Sequence, residues 1–312
     1  MLSRRLLRIK VIKALYAHFK SESELTTISE KNLTASIDRT YDLYHQMLWL
    51  ASDVARYAEN RIELARNKKL PTAEDLNPNT RFIDNAAVRQ IEDSRKLTDY
   101  LTKKSLGWAK YPELIKNLYN DLEKSDFYQS YMAAPSTDYR KDVRLVEQFF
   151  TECVEDNPLV EEVVEEQSIL WADDIDFSLI MVVRTLGDMR DGEKDIPLLP
   201  QYKNEDDRTF AQELFSRTVV NYADYLSYVE KFTQNWDIER IAFVDNLMMV
   251  AAMAELVSFP SIPVKVTLDE YIEIAKYYST PGSSHFINGI LDKITEALTA
   301  EGRIQKTGRG LM

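Results

Sequence analysis

The sequence is poor in the residues from which covalent and metal-bound frameworks are built. Its 312 residues include a single cysteine, Cys153, which excludes an intramolecular disulfide and a metal site made of cysteines. No apolar run reaches the eighteen residues of a membrane span. The N-terminus lacks an apolar signal region followed by a small-residue cleavage site. We therefore expect a cytoplasmic protein with no membrane partner.

Recognisable catalytic motifs are missing as well. The zinc-protease, paired-cysteine, serine-hydrolase and nucleotide-binding signatures are all absent, and the three histidines are isolated from one another. The acidic run VEEVVEEQ repeats at helical spacing, but it lacks the glycine and spaced oxygen ligands of a calcium loop. It is more typical of a surface or a protein-contact face. The sequence therefore predicts no enzymatic activity, no cofactor and no metal.

Charge of one sign is concentrated in separate parts of the chain. The net charge is −12, yet the first twenty residues contain six basic residues and no acidic one. Residues 201–312 hold 11 basic and 16 acidic residues, so the part between carries −13, and Glu152–Asp176 contains no basic residue. Screening limits charge effects to about 8–10 Å at physiological salt. A basic N-terminal face can therefore bind an anion although the whole chain is acidic.

Helical periodicity dominates the chain, and strand signals are scarce, so the predicted fold class is all-α. Residues 4–20 form a helix with an apolar stripe that includes Leu7, Val11 and Leu15 and an opposite basic face. The nearly all-apolar Ile241–Leu256 segment predicts the central helix of a bundle. The stripe of the first helix needs such a partner, so we expect both in one bundle.

Two further helices close the chain. Thr267 with Glu270 three residues on predicts a capping box for the helix TLDEYIEIAKYY. The last helix is SHFINGILDKITEAL, where Gly289 suggests close approach of a neighbouring helix or of a ligand.

The remaining helical patterns are less regular. They cover residues 33–66, 86–104, 111–124, 142–154 and 206–232, and residues 68–84 are expected to be a loop. VEEVVEEQSILW is compatible with a helix or a strand. Residues 38–41 and 207–210 both read Asp-Arg-Thr-aromatic, which leaves open a partial duplication or two helices with similar caps.

Four motifs in a fixed order resemble the NusB family of transcription antitermination factors. They are RRLLRIKVIKALY, NWDIERI, IPVKVTLDEYIEIAKYY and SHFINGILDKI. The resemblance covers residues 1–22 and about 205–300, which would form a NusB-like RNA-binding helical bundle. Residues 23–204 would be a helical acidic insertion of unknown role, and residues 301–312 a flexible basic tail.

The resemblance implies a function and a set of contact residues. NusB-like proteins bind boxA-like single-stranded RNA together with NusE, a small-subunit ribosomal protein. They act on the RNA polymerase elongation complex during ribosomal RNA transcription. The positions that match the family's RNA-binding residues are Arg4, Arg5, Arg8, Tyr16, Ser284, Phe286 and Asn288. Those that match its acidic partner-binding positions are Glu239 and Asp245.

The sequence also departs from the family pattern. Val250 stands where the family commonly has an arginine and Ala254 where it has a tyrosine, and the insertion is foreign to the family. NusB-like domains also occur fused to RNA cytosine methyltransferases, but the Rossmann segment and the catalytic cysteine motif of those enzymes are missing here. The alternative from another class is a protein-interaction scaffold that uses the acidic insertion and binds RNA weakly or not at all.

Overall fold

In a computed structural model, residues 1–21, 25–233 and 241–311 are described, and within these ranges the protein is helical and has no strands. The all-α prediction is confirmed. The α-helices in chain order are α1 (Arg4–Lys20), α2 (Thr26–Arg66), α3 (Ala73–Leu76), α4 (Ala86–Asp93), α5 (Arg95–Lys104), α6 (Pro112–Lys124), α7 (Asp126–Ala133), α8 (Tyr139–Gln148), α9 (Pro158–Gln167), α10 (Ile175–Asp188), α11 (Glu205–Val220), α12 (Tyr222–Thr233), α13 (Phe243–Ser258), α14 (Val264–Tyr278) and α15 (Ser283–Ala300). None of the helices in the described ranges is long and apolar enough to cross a membrane.

The chain divides into two compact units. One contains Asp38–Gln201 together with Met1, and the other contains Leu2–Ile37 and Tyr202–Met312. We call the first the insertion unit and the second the bundle unit. Among the described residues, the bundle unit thus includes residues 25–37, which the sequence had led us to expect in the insertion. The roles that we assigned to the two parts remain predictions.

The bundle unit is arranged around α13. Residues Leu247–Leu256 of this helix are all buried, because α1, α11, α12, α14 and α15 contact it from different sides. Helix α1 begins at the cap Ser3, whose hydroxyl accepts a hydrogen bond from the Leu6 N–H at 3.2 Å. Its stripe of Leu7, Val11 and Leu15 is completely buried. The first helix and the closing helices therefore lie in one bundle, as the apolar stripe led us to expect.

The C-terminal residues pack against this bundle. The Arg303 guanidinium donates to Asp224 Oδ2 at 2.6 Å and to the Tyr228 hydroxyl at 2.9 Å. The Thr307 N–H donates to the Pro260 carbonyl at 3.0 Å. A Cβ atom on Gly310 would lie 2.0 Å from the same carbonyl oxygen, so only glycine fits there. The expectation of a flexible tail was wrong for residues 301–311, because specific backbone and side-chain bonds hold them.

Hydrogen bonds between buried polar groups hold the helical core of the insertion unit together. The buried Asp142 carboxylate accepts hydrogen bonds from the Tyr131 hydroxyl, the Thr137 hydroxyl and the Ala86 N–H, at 2.6 to 2.9 Å. The Trp108 indole donates to the Gln46 carbonyl at 2.8 Å. These bonds satisfy polar groups that would be costly to bury unpaired. In the segment VEEVVEEQSILW, VEEVVEEQ lies in α9, whose N-cap is Asn157, and ILW forms a short 3-10 helix, so the strand alternative is excluded.

Several predicted helix boundaries were wrong for local reasons. Ser94 separates α4 from α5, and Asn221 separates α11 from α12. At the end of α11, the side-chain amide and the backbone N–H of Asn221 both donate to the Arg217 carbonyl, at 2.8 and 3.3 Å. Thr267 does not cap α14, which begins three residues earlier; its hydroxyl donates to Glu255 instead.

Candidate nucleic-acid interface

The three N-terminal arginines each meet a carboxylate within the bundle unit. Arg4 Nε lies 2.6 Å from Asp207 Oδ1 on α11. Arg5 binds Glu270 on α14 through two bonds of 2.9 Å. Arg8 binds Glu255 on α13 through two bonds of 2.8 and 2.7 Å. The arginines therefore fasten α1 to three of its neighbours in the bundle.

Arg8 is a structural residue and not a phosphate contact. Its side chain is only 2% exposed, and its partner Glu255 is fully buried. Glu255 also accepts a hydrogen bond from Thr267 at 2.8 Å, and the Phe210 ring centroid lies 5.3 Å from the Arg8 guanidinium. A buried charge of this kind is retained only with its partner, because desolvation without one is expensive. The prediction that Arg8 contacts RNA was wrong, since a phosphate cannot reach a sequestered guanidinium.

Arg4 and Arg5 differ from Arg8 in exposure. Their side chains are 32% and 45% exposed, although Asp207, the partner of Arg4, is buried and Glu270, the partner of Arg5, is half-buried. An incoming phosphate would compete with Asp207 or Glu270. Their contact with RNA remains a prediction.

The exposed side of α1 farther along the helix carries a cationic and aromatic face. Lys13, Tyr16 and Lys20 follow one another at intervals of three and four residues, so they share one side of the helix. Tyr16 is 45% exposed and packs edge-to-face on Phe243 with ring centroids 5.6 Å apart. Lys20 Nζ lies 4.5 Å from the Phe243 centroid. We call these three residues the lysine–tyrosine face.

A cavity of about 390 Å³ opens beside this face within the bundle unit. Helices α1, α13 and α14 form its walls. The residues that line it are Ile9, Ile12, Lys13, Tyr16, Val244, Ile274 and Tyr278. Lys13 Nζ lies 5.4 Å from the Tyr278 centroid, so the mouth combines aromatic rings with a cation. The spacing of residues on α1 predicts the lysine–tyrosine face from the sequence. No local sequence pattern predicts that Val244 and Tyr278 lie beside it.

Asp245 is an internal anchor and does not face solvent. It is 3% exposed, and it accepts hydrogen bonds from the Ser279 and Ser283 hydroxyls, the latter at 2.8 Å. It thereby holds the segment between α14 and α15 against the start of α13. The prediction that Asp245 contacts a protein partner was wrong, because both carboxylate oxygens are engaged inside the bundle. Glu239, the other predicted partner contact, lies outside the described residues.

The predicted residues of α15 lie near its N-terminal end. Ser284 and Phe286 are half-buried, whereas Asn288 is exposed and its amide lies 3.4 Å from Asp292. No acidic residue occupies the first turn of α15. Gly289 faces open space, so the predicted close approach of a neighbouring helix was wrong, and the close approach of a ligand remains a prediction. Ser284 directly follows Ser283, whose hydroxyl donates to Asp245.

The insertion unit shows an acidic surface and no recognisable reaction centre. Most acidic residues of Glu152–Asp176 are exposed, although Asp174 is buried. Burial raises the pKa of the Cys153 thiol to about 12, with Asp121 and Glu152 adding to the effect, so this cysteine is an unreactive core residue. In the described ranges, no group of three or more metal-binding side chains is positioned to hold an ion.

The chain is similar to known proteins over part of its length. The family model for the NusB family matches residues 180–296. The Transcription antitermination protein NusB of Salinibacter ruber is 40% identical over 129 residues, which cover 41% of this chain and 81% of that protein. The proteins of the same name from Chloroherpeton thalassium and Natranaerobius thermophilus are each 37% identical, over 34% of this chain and over 50% and 78% of their own lengths. No solved structure matches the chain.

These matches include the family-model match, which covers α11–α14 and α15 as far as residue 296 and therefore contains the central α13. Together with the all-α bundle, they show that the chain belongs to the NusB family.

Proposed function

We propose that this protein is a transcription antitermination factor that binds boxA-like single-stranded RNA. In this proposal it acts in the cytoplasm, without catalysis or a cofactor, together with the ribosomal protein NusE on the RNA polymerase elongation complex during ribosomal RNA transcription. Family membership supports the general role, since the relatives are named transcription antitermination proteins. The observation that carries RNA binding is the lysine–tyrosine face.

The chemistry of this face suits a single strand. Lysine ammonium groups attract phosphates, and exposed aromatic rings stack on unpaired bases. Lys13 and Lys20 are exposed and lie on either side of Tyr16 along the helix. Among the described residues, no carboxylate lies within ion-pair distance of Lys20. Lys20 therefore offers positive charge to a phosphate, whereas Asp207, Glu255 and Glu270 compensate the charges of the three arginines.

The RNA path that we propose continues from this face towards α15. The N-terminal end of a helix carries a partial positive charge and unpaired N–H groups that favour anions. Phe286 and Asn288 on the first two turns offer a ring and an amide next to that end. Arg5 would extend the path in the other direction if a phosphate replaced Glu270.

The alternative is a protein-interaction scaffold, and one observation favours it. Each of the arginines at positions 4, 5 and 8 already has a carboxylate partner, whereas the insertion unit exposes a strongly acidic surface. Such a protein would bind basic proteins and leave RNA in solution.

Fluorescence anisotropy with a labelled boxA-like RNA and a scrambled control RNA distinguishes the RNA-binding function from the protein-interaction scaffold. Lys13→Glu with Lys20→Glu should weaken binding and lower the log–log salt slope by about 0.7 for each lost phosphate contact. The control is Lys265→Glu, an exposed lysine at the opposite end of α14 from Tyr278. An unchanged slope in the double variant would rule out the lysine–tyrosine face, and no binding by the wild type would favour the scaffold.

A further inference from the structure

The cavity beside α1 has walls of a particular chemistry. Ile9, Ile12 and Ile274 make it apolar, while Tyr16 and Tyr278 add aromatic rings. Lys13 is the charged residue among its described lining residues, and none of these is acidic. A volume of about 390 Å³ is within the range of sites that hold small planar ligands.

The charge around the cavity specifies what kind of group would enter it. Lys13 and Lys20 are seven residues apart, or about 10 Å along the helix axis, and Tyr16 lies between them. A cationic margin around an apolar, aromatic interior complements a flat ring attached to anionic groups. An unpaired nucleobase between backbone phosphates has this composition, whereas a basic protein segment would meet repulsion.

Asp245 holds the two far walls of the cavity together. It follows Val244 on α13, and the Ser279 that donates to it follows Tyr278 on α14. The second bond, from Ser283, fixes the start of α15 to the same carboxylate. Asp245 therefore links the start of α13, beside Val244, to the end of α14, beside Tyr278.

We propose that this cavity receives one unpaired base of the bound single-stranded RNA. The base stacks on Tyr16, the neighbouring phosphates lie at Lys13 and Lys20, and Asp245 is a positioning residue that sets the width of the cavity. This inference rests on the proposed RNA-binding function and adds to it a site for a single nucleotide.

The test uses the full-length protein and a set of boxA-like RNAs, each with one abasic nucleotide at a different position. For the wild type, one position should lose affinity about 5- to 150-fold, the range that corresponds to base–aromatic stacking of about 1–3 kcal/mol. Tyr16→Ala should bind the intact RNA and that abasic RNA equally, and Tyr16→Phe should restore the difference. Tyr16 is 45% exposed, so the substitution leaves the core intact.

A fluorescent base gives a second readout. With 2-aminopurine at the sensitive position, the wild type and Lys265→Glu should quench the fluorescence, and Tyr16→Ala should not. Asp245→Asn should reduce the quenching while the salt slope stays the same, because the lysines remain in place.

Equal affinity for all abasic RNAs, with normal binding of the intact RNA, would overturn the base site and leave the proposed function standing. Unchanged RNA affinity in Tyr16→Ala, combined with weaker binding of the ribosomal protein, would show that the cavity is a protein site and would overturn the inference. Failure of the wild type to bind RNA at low salt would overturn the proposed function and the base site together.

Discussion

Arg8 and Glu255 illustrate how a charged residue of this chain can serve the core. The pair is almost completely buried, and Thr267 completes the hydrogen bonding of the carboxylate. Removing one partner from such a pair leaves a charge without compensation. At the level of sequence, Arg8 looks the same as Arg4 and Arg5, because its burial depends on distant parts of the chain such as Glu255, which is 247 residues away.

Glu255→Gln should lower the free energy of unfolding by about 3 kcal/mol, near the lower limit for a broken buried pair. Glu270 lies 3.6 Å from the same guanidinium and would compensate part of the charge. Urea unfolding followed by circular dichroism measures the loss. The matched control is Glu273→Gln, which removes the partner of the exposed Lys276 and should leave the midpoint unchanged. Equal midpoints for both variants would show that the Arg8 pair does not stabilise the bundle.

We also expect Glu270 to weaken RNA binding. It holds Arg5 at the surface through two hydrogen bonds, so a phosphate must displace it. Glu270→Gln should therefore raise the affinity for boxA-like RNA and steepen its salt dependence, because Arg5 gains a phosphate contact. Glu113→Gln in the insertion unit, where Lys116 is the partner, makes the same charge change elsewhere. If the two variants bind RNA alike, Arg5 is not part of the interface.

At the scale of helices, the apolar patterns predicted most of the helices that form but few of the residues at which they end. The stripe of α1, the central position of α13 and the all-α class followed from periodicity alone. The breaks at Ser94 and Asn221 did not: the Ser94 hydroxyl donates to Asp195, which is distant in the sequence, and the Asn221 amide donates to the Arg217 carbonyl. The capping box at Thr267 was wrong because a buried partner, Glu255, attracts its hydroxyl. Tertiary contacts decided these positions.

The C-terminal segment offers a test of packing between elements. Gly310→Ala should destabilise the protein and expose residues 301–311 to protease, because a Cβ atom there would collide with the Pro260 carbonyl. Gly289→Ala is the matched control: it lies within α15 and faces open space, so it should stabilise by about 1 kcal/mol. Thermal unfolding and limited proteolysis distinguish the variants. A Gly310→Ala protein with the wild-type midpoint and cleavage pattern would show that the segment is not packed as described.

At the scale of the whole molecule, the chain combines a family bundle with an acidic unit of its own. The motifs predicted the bundle, and the comparisons identify the family over that part of the chain. Two of the nine predicted site residues, Arg8 and Asp245, proved to be internal. Their positions in the motifs could not reveal this, because the same side chains serve as surface contacts or as buried anchors according to their neighbours in space.

The insertion unit remains, in our proposal, a surface for a basic protein. Glu162, Glu165 and Glu166 are exposed on α9, in a stretch without basic residues. Changing all three to Lys should weaken association with the purified ribosomal protein NusE and leave RNA affinity unchanged, because the acidic surface attracts a basic partner and repels RNA. Isothermal calorimetry measures the first effect and anisotropy the second. The control is Glu113→Lys. Equal NusE affinity in the triple variant and in this control would exclude α9 as the partner surface.

The central claim is that RNA lies on the bundle unit along α1 and not on the insertion unit. Photo-crosslinking of the wild-type protein to a boxA-like RNA, with mass-spectrometric mapping of the crosslinked peptides, tests it most directly. We predict crosslinks in peptides that contain Tyr16, Tyr278 and Phe286, and fewer at Tyr16 when Lys13 and Lys20 are changed to Glu. Crosslinks confined to residues 38–201 would contradict the claim and place the RNA on the insertion unit.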